Sequence, residues 1–137
     1  MPETLTFSKV HNYDTLKAGI TLDVKITFGE TDVTFEAKVD TGASRCIFKR
    51  LHGEYLGIDV ESGTPEKFGT ATGGFLAYGH EVTLKVLGIE TVSTVYFAAE
   101  ESFSRNVLGR TGWLDRVRLG LVDHEGKLFL SANDEEG

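Results

Sequence analysis

From Ile20 to Phe28 apolar side chains fall at every second position, Ile20, Leu22, Val24, Ile26 and Phe28, with Thr21, Asp23, Lys25 and Thr27 between them. Successive side chains of a strand point to opposite faces, so this spacing builds a ribbon with one buried and one wet face and does not suit a helix. Val33, Phe35, Ala37 and Val39 repeat the pattern against Thr34, Glu36 and Lys38, with Gly29-Glu-Thr-Asp32 as the turn between. The two runs predict a β-hairpin sharing one buried face. Its second strand delivers Asp40 at its end.

The alternation returns at Val82, Leu84 and Val86, is punctuated by Gly88, and gives way to a β-branched and aromatic run from Thr91 to Ala98. Leu119 to Val122 and Lys127 to Leu130 flank Asp123-His-Glu-Gly126 as a further hairpin. Helices are expected only over Lys49 to Leu56, stopped by Gly57, and over Arg110 to Val117. These elements predict a mainly β fold, a barrel or two packed sheets, with one or two short helices. The 137 residues suffice for one domain, placed at 1–132, and the polar, acidic stretch 133–137 reads as a tail.

Charge and cysteine content narrow the function. Fourteen Lys and Arg against 21 Asp and Glu leave a net charge of −7, which repels a phosphate backbone or an anionic membrane, so neither nucleic acid nor membrane is expected as a partner. The one cysteine, Cys46, has no partner for an internal disulfide and reads as a buried core thiol. His11, His52, His80 and His124 lack ligand spacing and read as surface or turn residues; no metal and no cofactor are expected. With no basic leader before an apolar core and no long apolar run, a cytoplasmic location is expected.

Three segments remain as candidates for chemistry. Val39-Asp-Thr-Gly-Ala-Ser44 places a carboxylate where a strand breaks into a turn; taken alone, the tripeptide is ordinary loop chemistry. Phe68-Gly-Thr-Ala-Thr-Gly-Gly-Phe75 is glycine-rich but lacks the Lys-Ser/Thr ending of a phosphate loop, so it reads as a hairpin. Asn106-Val-Leu-Gly-Arg110 reads as a junction between a strand and a helix.

In this order, Asp40-Thr-Gly-Ala43, the hairpin around Ala71-Thr-Gly-Gly74 and Val107-Leu-Gly-Arg110 resemble the retropepsins, the retroviral-type aspartic proteases, over about Leu22 to Leu130. The resemblance implies a retropepsin-like acid protease barrel, active as a two-fold homodimer, that cleaves peptide or protein substrates with Asp40 as the catalytic residue. It implies an active-site loop of Thr41, Gly42, Ala43 and Ser44, in which Thr41 bonds across the dimer axis. A flap at Ala71, Thr72, Gly73 and Gly74 would close over an extended peptide. Val107, Leu108 and Gly109 would pack beneath the loop, and Arg110 would support it.

The chemistry has a physical reason to need two chains. Hydrolysis without a metal or a nucleophilic side chain takes one carboxylate to deprotonate water and one carboxyl to protonate the substrate carbonyl. No other aspartate here is followed by Thr-Gly or Ser-Gly, so the second Asp40 is expected from a second copy. One departure stands out: Ser44 occupies the position where the family commonly carries the aspartate that pairs with the arginine, so Arg110 needs another acceptor. The alternative reading is therefore a catalytically inactive retropepsin-like dimerisation or peptide-binding module.

Overall fold

The two period-two runs form strands β2 (Thr21–Phe28) and β3 (Thr31–Val39), antiparallel, with Leu22 opposite Ala37, Val24 opposite Phe35 and Ile26 opposite Val33. Leu22, Val24, Ile26 and Ala37 are buried, so the alternation does mark the inward face. The turn is tighter than the sequence predicts: Gly29 takes a left-handed φ of 61°, and Thr31 and Asp32 already pair in the ladder. This computed structural model describes residues 1–135; Glu136 and Gly137, the end of the expected tail, lie outside the described residues.

The chain opens with β1 (Lys9–Asn12) and, after β3, runs through β4 (Ile47–Phe48), helix α1 (Arg50–Tyr55), β5 (Thr64–Thr70), β6 (Gly73–Val86), β7 (Ile89–Ala98) and β8 (Val107–Leu108). It ends with β9 (Val117–Val122) and β10 (Lys127–Ala132). One sheet has the order β2-β3-β8-β4-β7-β6-β5. Pairing of β2 with β6, from Val24 opposite Val86 to Thr27 opposite Thr83, closes six of its strands into a barrel. A second sheet, β1-β10-β9, contributes the fully buried Leu128 and Leu130 to the same core.

Strand β6 has two halves with different surroundings. From Ala77 to Val86 it pairs with β7 along its length, and its end also pairs with β2. Residues Gly73 to Leu76 pair with β5 only, so the β5–β6 hairpin projects from the barrel. Its position next to Asp40 is what matters for the site.

The first expected helix is α1, ended by Gly57 at φ 79°, a left-handed stop. The second, over Arg110 to Val117, is corrected to a single 3₁₀ turn at Leu114–Arg116. A helix does not run on from Arg110, because Gly112 sits at φ 105°, outside the helical region, and the N–H groups of Leu114 and Asp115 donate five residues back, to the carbonyls of Gly109 and Arg110. Two of the four histidines also belong to the packing rather than the surface. His52 on α1 stacks on Phe35 at 3.9 Å, and His80 on β6 bonds the carbonyl of Val60 at 2.8 Å.

Two outcomes follow from this packing. Gly53 lies in α1, where alanine would ordinarily gain about 1 kcal/mol in helix propensity. A methyl group there would meet the fully buried Phe97 ring at 2.9 Å. Gly53→Ala is therefore expected to destabilise by about 1–3 kcal/mol in urea unfolding, and a stabilised variant would refute the contact. His52 is held below its ordinary value of 6.5, first by burial and then by Lys49. The unfolded chain thus takes up this proton before the folded one does. Stability from this group is full above about pH 6.5 and declines as pH falls towards the depressed folded value. His52→Phe, which keeps a ring on Phe35 without titrating, should flatten that part of the urea-midpoint profile.

Candidate active site

The loop after β3 is held by main-chain bonds to a distant segment. β3 runs parallel to β8, with Val39 beside Leu108, and the N–H of Asp40 extends that ladder by donating to the carbonyl of Leu108 at 3.0 Å. The carbonyl of Asp40 then accepts from Ala43 N–H at 3.2 Å, and its carboxylate Oδ1 accepts from Gly42 N–H at 2.9 Å. A side chain at Gly42 would begin 3.2 Å from that oxygen, so glycine lets the turn close on the carboxylate. Arg110 N–H and Thr111 N–H donate back to Ala43 and Ser44, both at 2.9 Å.

Gly109 lies where the two segments cross. A Cβ there would run into the carbonyl of Arg45 and stand 2.8 Å from the carbonyl of Ala43, so only glycine fits. Asn106 braces the same crossing with its side chain: Oδ1 accepts from Lys49 N–H at 3.0 Å and Nδ2 donates to the Glu36 carbonyl at 3.3 Å. Sequence reasoning noted Asn106 only as the start of a junction and missed this role.

Asp40 opens into a cleft of about 320 Å³ between the loop and the projecting hairpin. Gly42, Ala43 and Ser44 line its floor together with Val107, and Glu66 to Thr70 and Phe75 line the hairpin side. Phe68 and Phe75 stack with centroids 5.3 Å apart, and Phe75 meets Phe103 at 4.7 Å, so an aromatic wall continues from the hairpin onto the loop before β8. Arg45 ties hairpin to loop: its Nη2 is 3.5 Å from Glu66 Oε1, and its guanidinium lies 5.5 Å over the Tyr96 ring.

The predicted residues sort into two groups. Asp40, Gly42, Ala43 and Ser44 converge on the cleft, and Val107, Leu108 and Gly109 are buried beneath. Thr41 is exposed beside them. Arg110 supports the loop through its N–H alone; its side chain is exposed and has no hydrogen-bond or ion-pair partner among the described residues. Ala71, Thr72, Gly73 and Gly74 form the exposed tip of the hairpin, with Gly73 at φ 138° and Thr70 Oγ1 donating to its carbonyl at 2.9 Å. None of those four lines the cleft; the adjoining Phe68, Gly69, Thr70 and Phe75 do.

Other reactive groups stand apart from the cleft. Cys46 is fully buried, and burial pushes its thiol up to about 11, against a hydrogen bond from the Gly109 backbone that lowers it. Such a thiol is a poor nucleophile. Among the described residues no three His, Cys, Asp or Glu side chains gather as a metal cage, and no helix is long and apolar enough to cross a membrane.

Comparison with known proteins bears on this arrangement. A family model described as aspartyl protease matches residues 23–111, which contain both the Asp40 loop and the Gly109 crossing. The fold is similar to that of EIAV protease, solved in complex with the inhibitor HBY-793. That match has 22% identity and a TM-score of 0.56, and covers 72% of this chain and 88% of that one. No curated protein matches by sequence.

The crossing predicts a contrast between two glycines. Gly109→Ala forces backbone apart and is expected to cost about 3 kcal/mol or more. Gly69, on the cleft's hairpin side, has open space where a Cβ would stand, with nothing within 4 Å, and a φ open to other residues. Gly69→Ala should stay within about 0.5 kcal/mol of wild type. Equal melting temperatures for the two variants would contradict the crossing geometry.

Proposed function

The chain belongs to the aspartyl protease family and has the retroviral protease fold, and on that premise we propose that it is an aspartic endopeptidase working as a two-fold homodimer. The observation that carries the proposal is Asp40 itself, the one aspartate lining the cleft among the described residues, set at the edge of a loop whose main chain is fixed by the β8 segment. Glu66, the other carboxylate in the lining, faces Arg45. A second Asp40 must then come from a second copy.

In the proposed dimer the two Asp40 carboxyls meet on the axis and share one proton, since like charges about 3 Å apart do not both ionise. The charged carboxylate takes a proton from a water molecule as its oxygen attacks the scissile carbonyl carbon. The protonated one gives its proton to the carbonyl oxygen, forming a neutral tetrahedral diol. The carboxyl that took the water's proton then passes it to the peptide nitrogen, a diol hydroxyl gives its proton to the other carboxylate as the C–N bond breaks, and an amine and a carboxylic acid leave with the dyad restored. The exposed Thr41 faces the partner loop in this reading. Gly42 offers close approach to the substrate main chain, and the tip at Ala71, Thr72, Gly73 and Gly74 folds over an extended peptide as an added strand.

A single buried thiol fits a reducing, cytoplasmic setting, and the net charge of −7 fits peptide rather than nucleic acid as substrate. One observation favours a second reading. Arg110, with Ser44 in place of a carboxylate, leaves the loop without the side-chain brace that the active family commonly has, and this suits a retropepsin-like peptide-binding module without turnover.

The test is Asp40→Asn with an unfolded protein as substrate. Cleavage should fall by about a thousandfold or more while sedimentation still shows a dimer. The wild type should lose specific activity on dilution as the dimer dissociates. Cleavage that survives the substitution would sink the proposal, and binding without turnover from mildly acidic to neutral pH would establish the second reading.

A further inference from the structure

The cleft is chemically uneven along its length. On one side Ile47, Phe68, Phe75 and Phe103 present a continuous apolar wall. Two exposed cations border that wall: Lys67 on β5, and Arg105, whose guanidinium carbon lies 5.5 Å over the Phe103 ring. Among the described residues neither is within ion-pair distance of a carboxylate. Glu66 is engaged by Arg45, and Glu100 lines the neighbouring hollow rather than this one. The Asp40 carboxylate also lines the cleft without a cation partner among the described residues, but the charge bordering the aromatic wall on the loop before β8 is the positive Arg105.

Stacking on an aromatic face orients a guanidinium and leaves its N–H edge free for a bidentate carboxylate. A peptide bound in extended form sends side chains i and i+2 to the same face, roughly 7 Å apart. An aromatic side chain seated on the wall therefore brings the side chain two positions away to the level of the bordering cations. Resting on the peptide-cleaving reading above, we propose that this cleft selects peptides carrying an aromatic residue with an acidic residue two positions from it. Arg105 is the specificity-determining residue.

The experiment uses three peptides of one sequence with a single phenylalanine and Glu, Gln or Lys two positions away on either side. Binding is measured by fluorescence anisotropy on full-length Asp40→Asn protein, and kcat/KM on the wild type. The expected order is Glu over Gln over Lys, by about fivefold per step for an exposed pair, with the spread narrowing as salt is raised. Arg105→Glu should reverse the order, and Arg105→Gln should compress it. Equal values for the three peptides, or an order unchanged in both variants, would overturn the inference and leave the protease reading standing. A Glu preference in binding with no cleavage by the wild type would overturn the protease reading and leave the selectivity intact. Absence of both binding and cleavage would overturn both.

Discussion

The N–H of Asp40 donates to Leu108, and the N–H groups of Arg110 and Thr111 donate back to Ala43 and Ser44. This exchange between segments far apart in sequence is the constraint on which the site depends. It fixes the carboxylate through main-chain geometry rather than through a long side chain, so little rotamer freedom remains to be lost when substrate arrives. It also explains why two glycines flank the chemistry for different reasons. Gly42 makes room for the Asp40 carboxylate to accept a bond from its own loop, and Gly109 makes room for one strand to pass under another.

The barrel and the hairpin share strand β6 but not its stabilisation. Its second half is held between β7 and β2, with Val82, Leu84 and Val86 buried. Its first half is held by β5, by the aromatic contacts to Phe103 and by Arg45–Glu66, a pair one-third exposed on each side. Such a pair contributes about 0–1 kcal/mol. The projecting half is thus the part whose opening costs least, and in the proposed function it is the part that lifts to admit a polypeptide.

Regular elements were legible where one periodicity persisted over many residues. The β2–β3 hairpin, the β6–β7 pair and the β9–β10 pair follow alternation and glycine punctuation, since a single buried face imposes period two. β4 and β8 hold two residues each, too short for any period, yet they carry the crossing. The helix expected over Arg110 to Val117 failed because Gly112 turns the chain at φ 105°, outside the helical region, and Leu114 and Asp115 donate five residues back, to Gly109 and Arg110. Asp40 was legible through its neighbours in sequence. Phe103, Arg105 and Lys67 were not, because they become neighbours only when the loop before β8 and the hairpin fold onto the same cleft.

A chain of this topology contains one crossing and therefore one such carboxylate. Asp40 is half-buried in the single chain, with Gly42 N–H as the one hydrogen-bond donor to its carboxylate among the described residues. In the proposed dimer a second copy takes two like carboxylates out of solvent at once, a cost that falls steeply when one proton is retained between them. In the proposed dimer the event that assembles the two chains is then also the event that creates the acid and the base. In that proposed reading the single chain is inert until paired, because a lone carboxylate can take a proton from water but has nothing beside it to protonate the substrate.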